Sequence, residues 1–93
     1  MSSLTGLVIT KSALDSLARF PFKIRAQLIK KAKALILDPH PQGSKPLKGV
    51  KTADDETIYR QRSGDYRILY VVRTKPTNEV IVLDIDNRKD VYR

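Results

Sequence analysis

The sequence contains no cysteine and no tryptophan, and His40 is its single histidine. The absence of cysteine excludes disulfide bonds and thiolate metal sites, and it fits a reducing compartment. No apolar run approaches the roughly 20 residues that a membrane-spanning helix needs, and the first residues do not resemble a secretory signal. No histidine or carboxylate cluster has metal-ligand spacing, so no metal or other cofactor is expected. We expect a cytoplasmic protein with no membrane partner.

Acidic residues are also scarce. Ten Asp and Glu oppose eighteen Lys and Arg, which gives a formal net charge of +8. A surface this basic is typical of proteins that bind polyanions, although a solubilising surface can have the same composition. Hydrophobic residues make up 41% of the chain and charged residues 30%, a globular composition. A chain of this length supports one modest core, so a single domain over residues 1–93 is expected.

The hydrophobic pattern predicts a first strand followed by two helices. Residues 6–10 are an apolar run suited to a strand, and Thr10 or Ser12 can cap the next helix. The residue before Pro21 is pushed out of helical geometry, so the first helix ends there and a second begins. Spacing of i, i+3 and i+4 predicts a buried face for the first helix: Leu14, Leu17 and Ala18. It predicts another for the second: Ile24, Leu28, Ala32, Leu35 and Ile36.

The remaining chain predicts a loop and then a β-meander. Residues 40–53 are rich in Pro, Gly, Ser and Lys and are expected to form a loop anchored by Leu47 and Val50. Gly64-Asp65 is a two-residue hairpin turn between strands at 58–63 and 66–73, and a last strand is expected at 79–86. The order β-α-α-β-β-β indicates an α+β fold. Its N-terminal strand and antiparallel helix hairpin precede a three-stranded antiparallel meander, with the helices on one face.

The predicted hairpin register places three arginines on the same side of the sheet. A two-residue loop pairs Ser63 with Tyr66 and Arg62 with Arg67, so alternation places Arg60, Arg62 and Arg67 on one side of the sheet. We call that side of the hairpin the arginine face. Directly opposed like charges are destabilising, and a bound phosphate would remove that cost, because guanidinium groups match phosphate geometry. The alternative is the polar side of a sheet buried on one face only. The opposite, mostly apolar side should meet the helices: Tyr59, Gln61, Tyr66, Ile68, Tyr70 and Val72.

Three segments resemble the RelE toxins, within the RelE/ParE superfamily. They are the hairpin at 59–70, the terminal stretch at 82–92, and the basic segment at 45–49, which reads Lys-Pro-Leu-Lys-Gly. Together with the β-α-α-β-β-β order, they extend the resemblance over essentially the whole chain. It implies the toxin of a type II toxin–antitoxin pair, a ribosome-dependent endoribonuclease that cleaves mRNA codons in the A site. In that reaction the 2′-hydroxyl attacks the adjacent phosphate and the 5′-oxygen leaves.

The resemblance also assigns roles to single residues. Arg67 and Arg88 are expected to stabilise charge on the phosphoryl oxygens, and Tyr92 to stack on a base or transfer a proton. Arg60 and Arg62 are expected to orient the RNA backbone. Further RNA contacts are expected from basic residues in the same matched segments: Lys45, Lys48 and Lys89.

The Arg60 and Arg62 positions depart from some family members, which have lysine there. A desolvated lysine can lose its proton, whereas arginine effectively cannot, so neither residue suits a general base. His40 lies in a proline-flanked loop and is expected to be an ordinary surface residue. Tyr92 is then the main candidate for carrying a proton.

The partners implied are the ribosome, mRNA and a cognate acidic antitoxin. The free toxin is expected to be a monomer that forms a hetero-oligomer with the antitoxin. Two other functions stay open: a ParE-like toxin that poisons DNA gyrase, and a non-catalytic RNA-binding module. The Arg-x-Asp-Val-Tyr ending at 88–92 favours the nuclease over the gyrase poison.

Overall fold

The computed structural model describes residues 6–75 and 77–87. In these ranges the chain forms β1 (Gly6–Ile9), α1 (Lys11–Ala18), α2 (Phe22–Leu37), β2 (Lys45–Lys51), β3 (Thr57–Ser63), β4 (Tyr66–Arg73) and β5 (Glu79–Asn87). Neither helix in these ranges is long and apolar enough to cross a membrane. The expected α+β class is confirmed, with a strand and two helices preceding the antiparallel strands.

The strands form one mixed sheet with the order β1-β5-β4-β3-β2. β1 pairs with β5 in parallel, so Gly6 lies opposite Glu79 and Ile9 opposite Val82. The remaining neighbours are antiparallel. The predicted meander is therefore present, but the sheet is larger than three strands and is not purely antiparallel.

The segment predicted as a loop at 40–53 contains the edge strand β2. It pairs antiparallel with β3 and its register shifts between Pro46 and Lys51. Leu47 is half-buried, as expected of an anchor, but Val50 is 50% exposed and anchors nothing. The strand was missed because proline and Gly49, at φ +73°, interrupt its pattern. Proline and lysine on an edge strand discourage further pairing, which explains why this strand lacks hydrophobic alternation.

Thr10 caps α1 and fixes its rotation on the sheet. Its Oγ1 accepts a hydrogen bond from the Ala13 amide at 3.2 Å and donates one to the Leu83 carbonyl at 2.8 Å. The expected cap is confirmed. Of the expected buried face, Leu17 is confirmed, but Leu14 is 52% exposed and Ala18 is also exposed, so the prediction is wrong at those two positions. Anchoring on β5 turns a neighbouring face inward instead: Ala13, Ser16 and Leu17.

The main core lies between the helices and one face of the sheet. The stripe predicted for α2 is confirmed, with Leu28, Ala32 and Leu35 fully buried. α1 contributes Leu17, and Phe20 packs edge-on against Tyr66 with ring centroids 4.8 Å apart. The sheet contributes Ile68 and Tyr70, which alternation predicts to face the helices, and three residues of β5: Val80, Val82 and Ile85.

A smaller apolar cluster covers part of the other face. Ile58, Val71 and Ile81 form its buried centre, and three half-buried leucines pack around them: Leu47, Leu69 and Leu83. The sheet is thus apolar on both sides at its middle. The polar arginine face is confined to the end of the sheet that carries the β3–β4 hairpin turn.

Candidate nucleic-acid interface

The β3–β4 hairpin has the turn and register that the sequence predicts. Gly64 has φ +61°, a left-handed conformation that favours glycine, as the first loop position of a II′-type turn requires. Ser63 pairs with Tyr66, Arg62 with Arg67 and Arg60 with Leu69. The register predicted from the loop length is confirmed, so the arginines share the sheet face that points away from the helices.

Two rows of side chains cross the arginine face. In the first, Lys45 of β2 lies opposite Arg60, which lies opposite Leu69. In the second, Arg62 lies opposite Arg67, which lies opposite Asp86 of β5. Same-face positions on one strand are roughly 7 Å apart, so the rows are adjacent. This end of the sheet therefore collects four cations and, from β5, one carboxylate.

Arg67 is the most constrained member of this group. Its side chain is 25% exposed, and its Nη2 lies 3.7 Å from Asp86 Oδ2. Its Nε is buried and has no hydrogen-bond partner among the described residues. A buried donor on a charged group is costly when it is left unpaired. An anion at this position would accept that bond and separate Arg67 from the facing charge of Arg62.

The other arginines of this face keep their charges available. Arg62 is exposed and Arg60 is half-buried. Within the described ranges, the ion pairs do not include either residue or Lys45. These side chains can therefore reorient toward a phosphate without breaking an ion pair among the described residues.

Arg73 also lies on β4, but it is already fully engaged. Its Nε and Nη2 donate to the two oxygens of Glu56 at 3.0 and 2.7 Å. These bonds lower the pKa of the Glu56 carboxyl, more than its partial burial raises it, and they raise the pKa of the Arg73 guanidinium. The pair ties β4 to the turn before β3, a structural role.

His40 lies on the helix side of the sheet. Its ring contacts Tyr59 edge-on with centroids 4.7 Å apart, and Tyr59 stacks on Tyr70 at 5.8 Å. The Tyr70 hydroxyl donates to the Pro39 carbonyl at 2.6 Å, and burial raises the pKa of Tyr70. His40 is exposed, as expected, and the sheet separates it from the arginine face.

Some predicted residues are not placed with this group. Arg88, Lys89 and Tyr92 lie outside the described residues. Lys48 is exposed on β2, in the stretch where the register with β3 is interrupted, and it has no partner strand position there.

Comparison with known protein families identifies the chain. A sequence profile described as the ParE toxin of the type II toxin–antitoxin system parDE matches residues 7–92. The chain belongs to the ParE toxin family. No curated protein sequence matches it. The match begins in β1 and extends over both helices and the later strands, so membership in this family of type II toxins does not depend on the hairpin alone.

Solved structures of RelE toxins are similar to this ParE-family chain. The RelBE2 toxin–antitoxin complex from Mycobacterium tuberculosis has 26% identity and a TM-score of 0.73, covering 94% of this chain and 100% of that one. A free Escherichia coli RelE with two arginines replaced by alanine has 26% identity and a TM-score of 0.66, covering 99% and 92%. The archaeal RelE–RelB complex from Pyrococcus horikoshii has 23% identity and a TM-score of 0.72, covering 94% and 97%. The predicted resemblance to RelE toxins is confirmed.

Sequence reasoning missed Asp86. Its position opposite Arg67 follows from the β4–β5 register, and that register shifts between Leu69 and Tyr70. One extra residue in β5 at this shift changes the partner of every position beyond it. The alternating Asp84 and Asp86 in an otherwise apolar strand were the available signal, but without the shift their partners could not be assigned.

Proposed function

We propose that this ParE-family chain is a ribosome-dependent endoribonuclease that cleaves mRNA in the A site and so inhibits translation in the cytoplasm. The observation that supports it best is the buried Nε of Arg67, which has no hydrogen-bond partner among the described residues, on a face that also holds Arg60, Arg62 and Lys45. Guanidinium donors on one face suit a phosphoryl group whose charge increases in the transition state.

The proposed reaction is an internal transesterification. The RNA 2′-oxygen forms a bond to the adjacent phosphorus and gives up its proton, while the bond from phosphorus to the 5′-oxygen breaks and that oxygen is protonated. Arg67, with Arg88, would stabilise the phosphoryl oxygens, and Arg60 and Arg62 would position the backbone. Arginine cannot accept the proton, so we assign proton transfer to Tyr92.

We also propose that an acidic antitoxin neutralises this protein. The M. tuberculosis and P. horikoshii structures are toxin–antitoxin complexes, and a chain with net charge +8 favours an acidic partner. In this proposal the free toxin is a monomer, and the hetero-oligomer is the inactive form.

Cleavage mapping on programmed ribosomes tests the nuclease. Wild-type protein should cut mRNA in the A-site codon, and Arg67→Ala should lower the cleavage rate by about a hundredfold, the usual cost of removing a transition-state donor. Arg19→Ala removes the same charge from the exposed end of α1 and should cleave like wild type. Cleavage that survives unchanged in Arg67→Ala would show that the site is elsewhere.

Inhibition of DNA gyrase is the second candidate. The matching family profile is named for ParE, which favours it. Arg60, Arg62 and Arg67 also cannot accept the proton that the nuclease reaction releases. A supercoiling assay with purified gyrase separates the two candidates: loss of supercoiling at toxin concentrations that leave ribosome-bound mRNA intact would favour the gyrase poison. Salt-sensitive RNA binding with neither activity would indicate a non-catalytic RNA-binding module.

A further inference from the structure

A pocket of mixed polarity lies on the helix side of the sheet, between the C-terminal half of α2 and β3. Its volume is about 380 Å³, and we call it the Gln61 pocket. Its lining includes residues of α2, of the loop that follows and of β3: Lys31, Ala34, Leu35, Asp38, Pro41 and Gln61. A concave site of this size, with apolar walls and a few polar groups, is typical of small-molecule binding.

The carboxamide of Gln61 lacks good hydrogen-bond partners. Gln61 is only 6% exposed, and its buried Oε1 has no hydrogen-bond partner among the described residues. Its Nε2 donates to the Arg62 carbonyl at 3.5 Å, which is longer than an ordinary hydrogen bond. A buried polar group without a partner destabilises the protein. A ligand that offers a donor to Oε1 and an acceptor to Nε2 would relieve this destabilisation.

Two exposed side chains of opposite charge lie at the rim of the Gln61 pocket. Lys31 and Asp38 are about two helical turns, or about 10 Å, apart along α2. Within the described ranges, the ion pairs include neither of them. Asp38 Oδ1 accepts a hydrogen bond from the His40 amide at 3.3 Å, which holds the carboxylate at this end of the helix. The pocket therefore offers a ligand a carboxamide, a cation and a carboxylate.

These three groups match the three parts of an adenine nucleotide. A glutamine carboxamide forms two bonds with adenine, because Oε1 accepts from N6 and Nε2 donates to N7. A carboxylate accepts hydrogen bonds from ribose hydroxyls, and lysine binds phosphate as a point charge. The faces of the base would contact the apolar lining of the pocket: Ala34, Leu35 and Pro41.

We propose that the Gln61 pocket binds an adenine nucleotide, with adenine on Gln61, ribose on Asp38 and phosphate on Lys31. Guanine and uracil present only acceptors on the corresponding edge of the base, so they would leave Oε1 without a donor. The nucleotide is either free in solution or one residue of an RNA chain, because both carry the same three groups. The pocket and the arginine face lie on opposite sides of the sheet, so this inference does not depend on the nuclease proposal.

Titration of the full chain with adenosine monophosphate tests the inference. The readout is the side-chain amide signal of Gln61 in a proton–nitrogen correlation spectrum, which is assigned by its loss in Gln61→Leu. Adenosine monophosphate should shift this signal and should bind at least about fivefold more tightly than guanosine or uridine monophosphate. Adenosine lacks the phosphate and deoxyadenosine monophosphate lacks the 2′-hydroxyl, so each should bind more weakly than adenosine monophosphate.

Variants separate the roles of the pocket residues. Gln61→Leu should abolish the preference for adenine while the protein stays folded, because an apolar group of similar size replaces a buried polar group. Lys31→Ala should weaken binding of adenosine monophosphate by about fivefold or more and leave adenosine binding unchanged. Lys30→Ala is the matched control for Lys31→Ala. It removes the same charge from the next position of α2, but Lys30 does not line the Gln61 pocket, so affinity should change by less than about twofold.

A short oligoadenylate distinguishes the two sources of the nucleotide. A Gln61 signal that shifts with adenosine monophosphate alone identifies a free nucleotide, and one that shifts at a lower concentration of oligoadenylate identifies an RNA residue. No shift of the Gln61 signal with either probe, equal affinity for the three monophosphates, or unchanged binding in Gln61→Leu would overturn the inference. Equal effects of Lys31→Ala and Lys30→Ala would also overturn it, because the phosphate would then not lie at the rim of the pocket.

Discussion

Arg67 lies between Arg62 on β3 and Asp86 on β5, and its Nη2 is 3.7 Å from the Asp86 carboxylate. The contact is long for an ion pair that is also a hydrogen bond. Asp86 therefore offsets the repulsion from Arg62 only in part. In the nuclease proposal, a phosphate at this position would replace the carboxylate as the partner of Arg67.

Asp86→Asn should strengthen RNA binding. The carboxylate competes with phosphate for Arg67, and a unit charge about 4 Å away in water contributes about 1 kcal/mol, or roughly fivefold in affinity. Fluorescence anisotropy with a short single-stranded RNA measures the change. Asp15→Asn removes an equal charge from the exposed Lys11–Asp15 pair on α1 and should have little effect. Weaker binding in Asp86→Asn would mean that Asp86 helps to position Arg67 for its ligand.

Arg62→Gln should reduce the salt dependence of RNA binding. If Arg62 neutralises one phosphate, its loss lowers the slope of log K against log salt by about one. Arg62 is exposed, so its replacement by Gln should leave the fold unchanged, and thermal unfolding serves as the control measurement. A slope equal to that of wild type would place Arg62 outside the RNA contact.

Glu56→Gln should make the free energy of unfolding less dependent on pH in the acid range. Hydrogen bonds from Arg73 hold the pKa of folded Glu56 below its ordinary value of 4.5. The stabilisation is therefore complete above about pH 4.5 and is lost as the pH falls through the folded pKa. Urea unfolding between pH 3 and pH 7 should show a smaller loss of stability with acid in the variant. Parallel pH profiles for the variant and wild type would contradict the assignment.

Tyr70→Phe should destabilise the fold by about 1–2 kcal/mol, since it leaves the Pro39 carbonyl without its donor. Urea denaturation measures the loss. Tyr59→Phe is the matched control, because it keeps the ring contacts with His40 and Tyr70 and removes a hydroxyl that has no hydrogen bond within the described ranges. Equal losses in the two variants would show that the bond to Pro39 contributes nothing specific.

Local signals in the sequence were sufficient to predict the β3–β4 hairpin and its register. Gly64-Asp65 set the loop length, the loop length set the register, and strict alternation then assigned Arg60 and Arg67 to one face. The long apolar stripe of α2 was equally clear, because it repeats over four turns. These features depend on residues that are neighbours along the chain.

The features that were missed depend on distant contacts. The rotation of α1 is set by bonds from Thr10 to β5, more than seventy positions along the chain. The partner of Arg67 depends on a register shift that no local pattern marks. β2 lacks alternation because it is an edge strand with lysines and proline. In each case tertiary contact overrides local preference.

The parallel pairing of β1 with β5 has a consequence for synthesis. β1 is made early, but its hydrogen-bonding partners at 79–82 follow more than sixty residues later. A strand without its partner cannot complete the sheet, and contacts this distant in sequence form slowly. The sheet on which α1 and α2 pack can therefore be finished only after β5 has left the ribosome. A toxin that attacked translation would be inert while it is itself being translated.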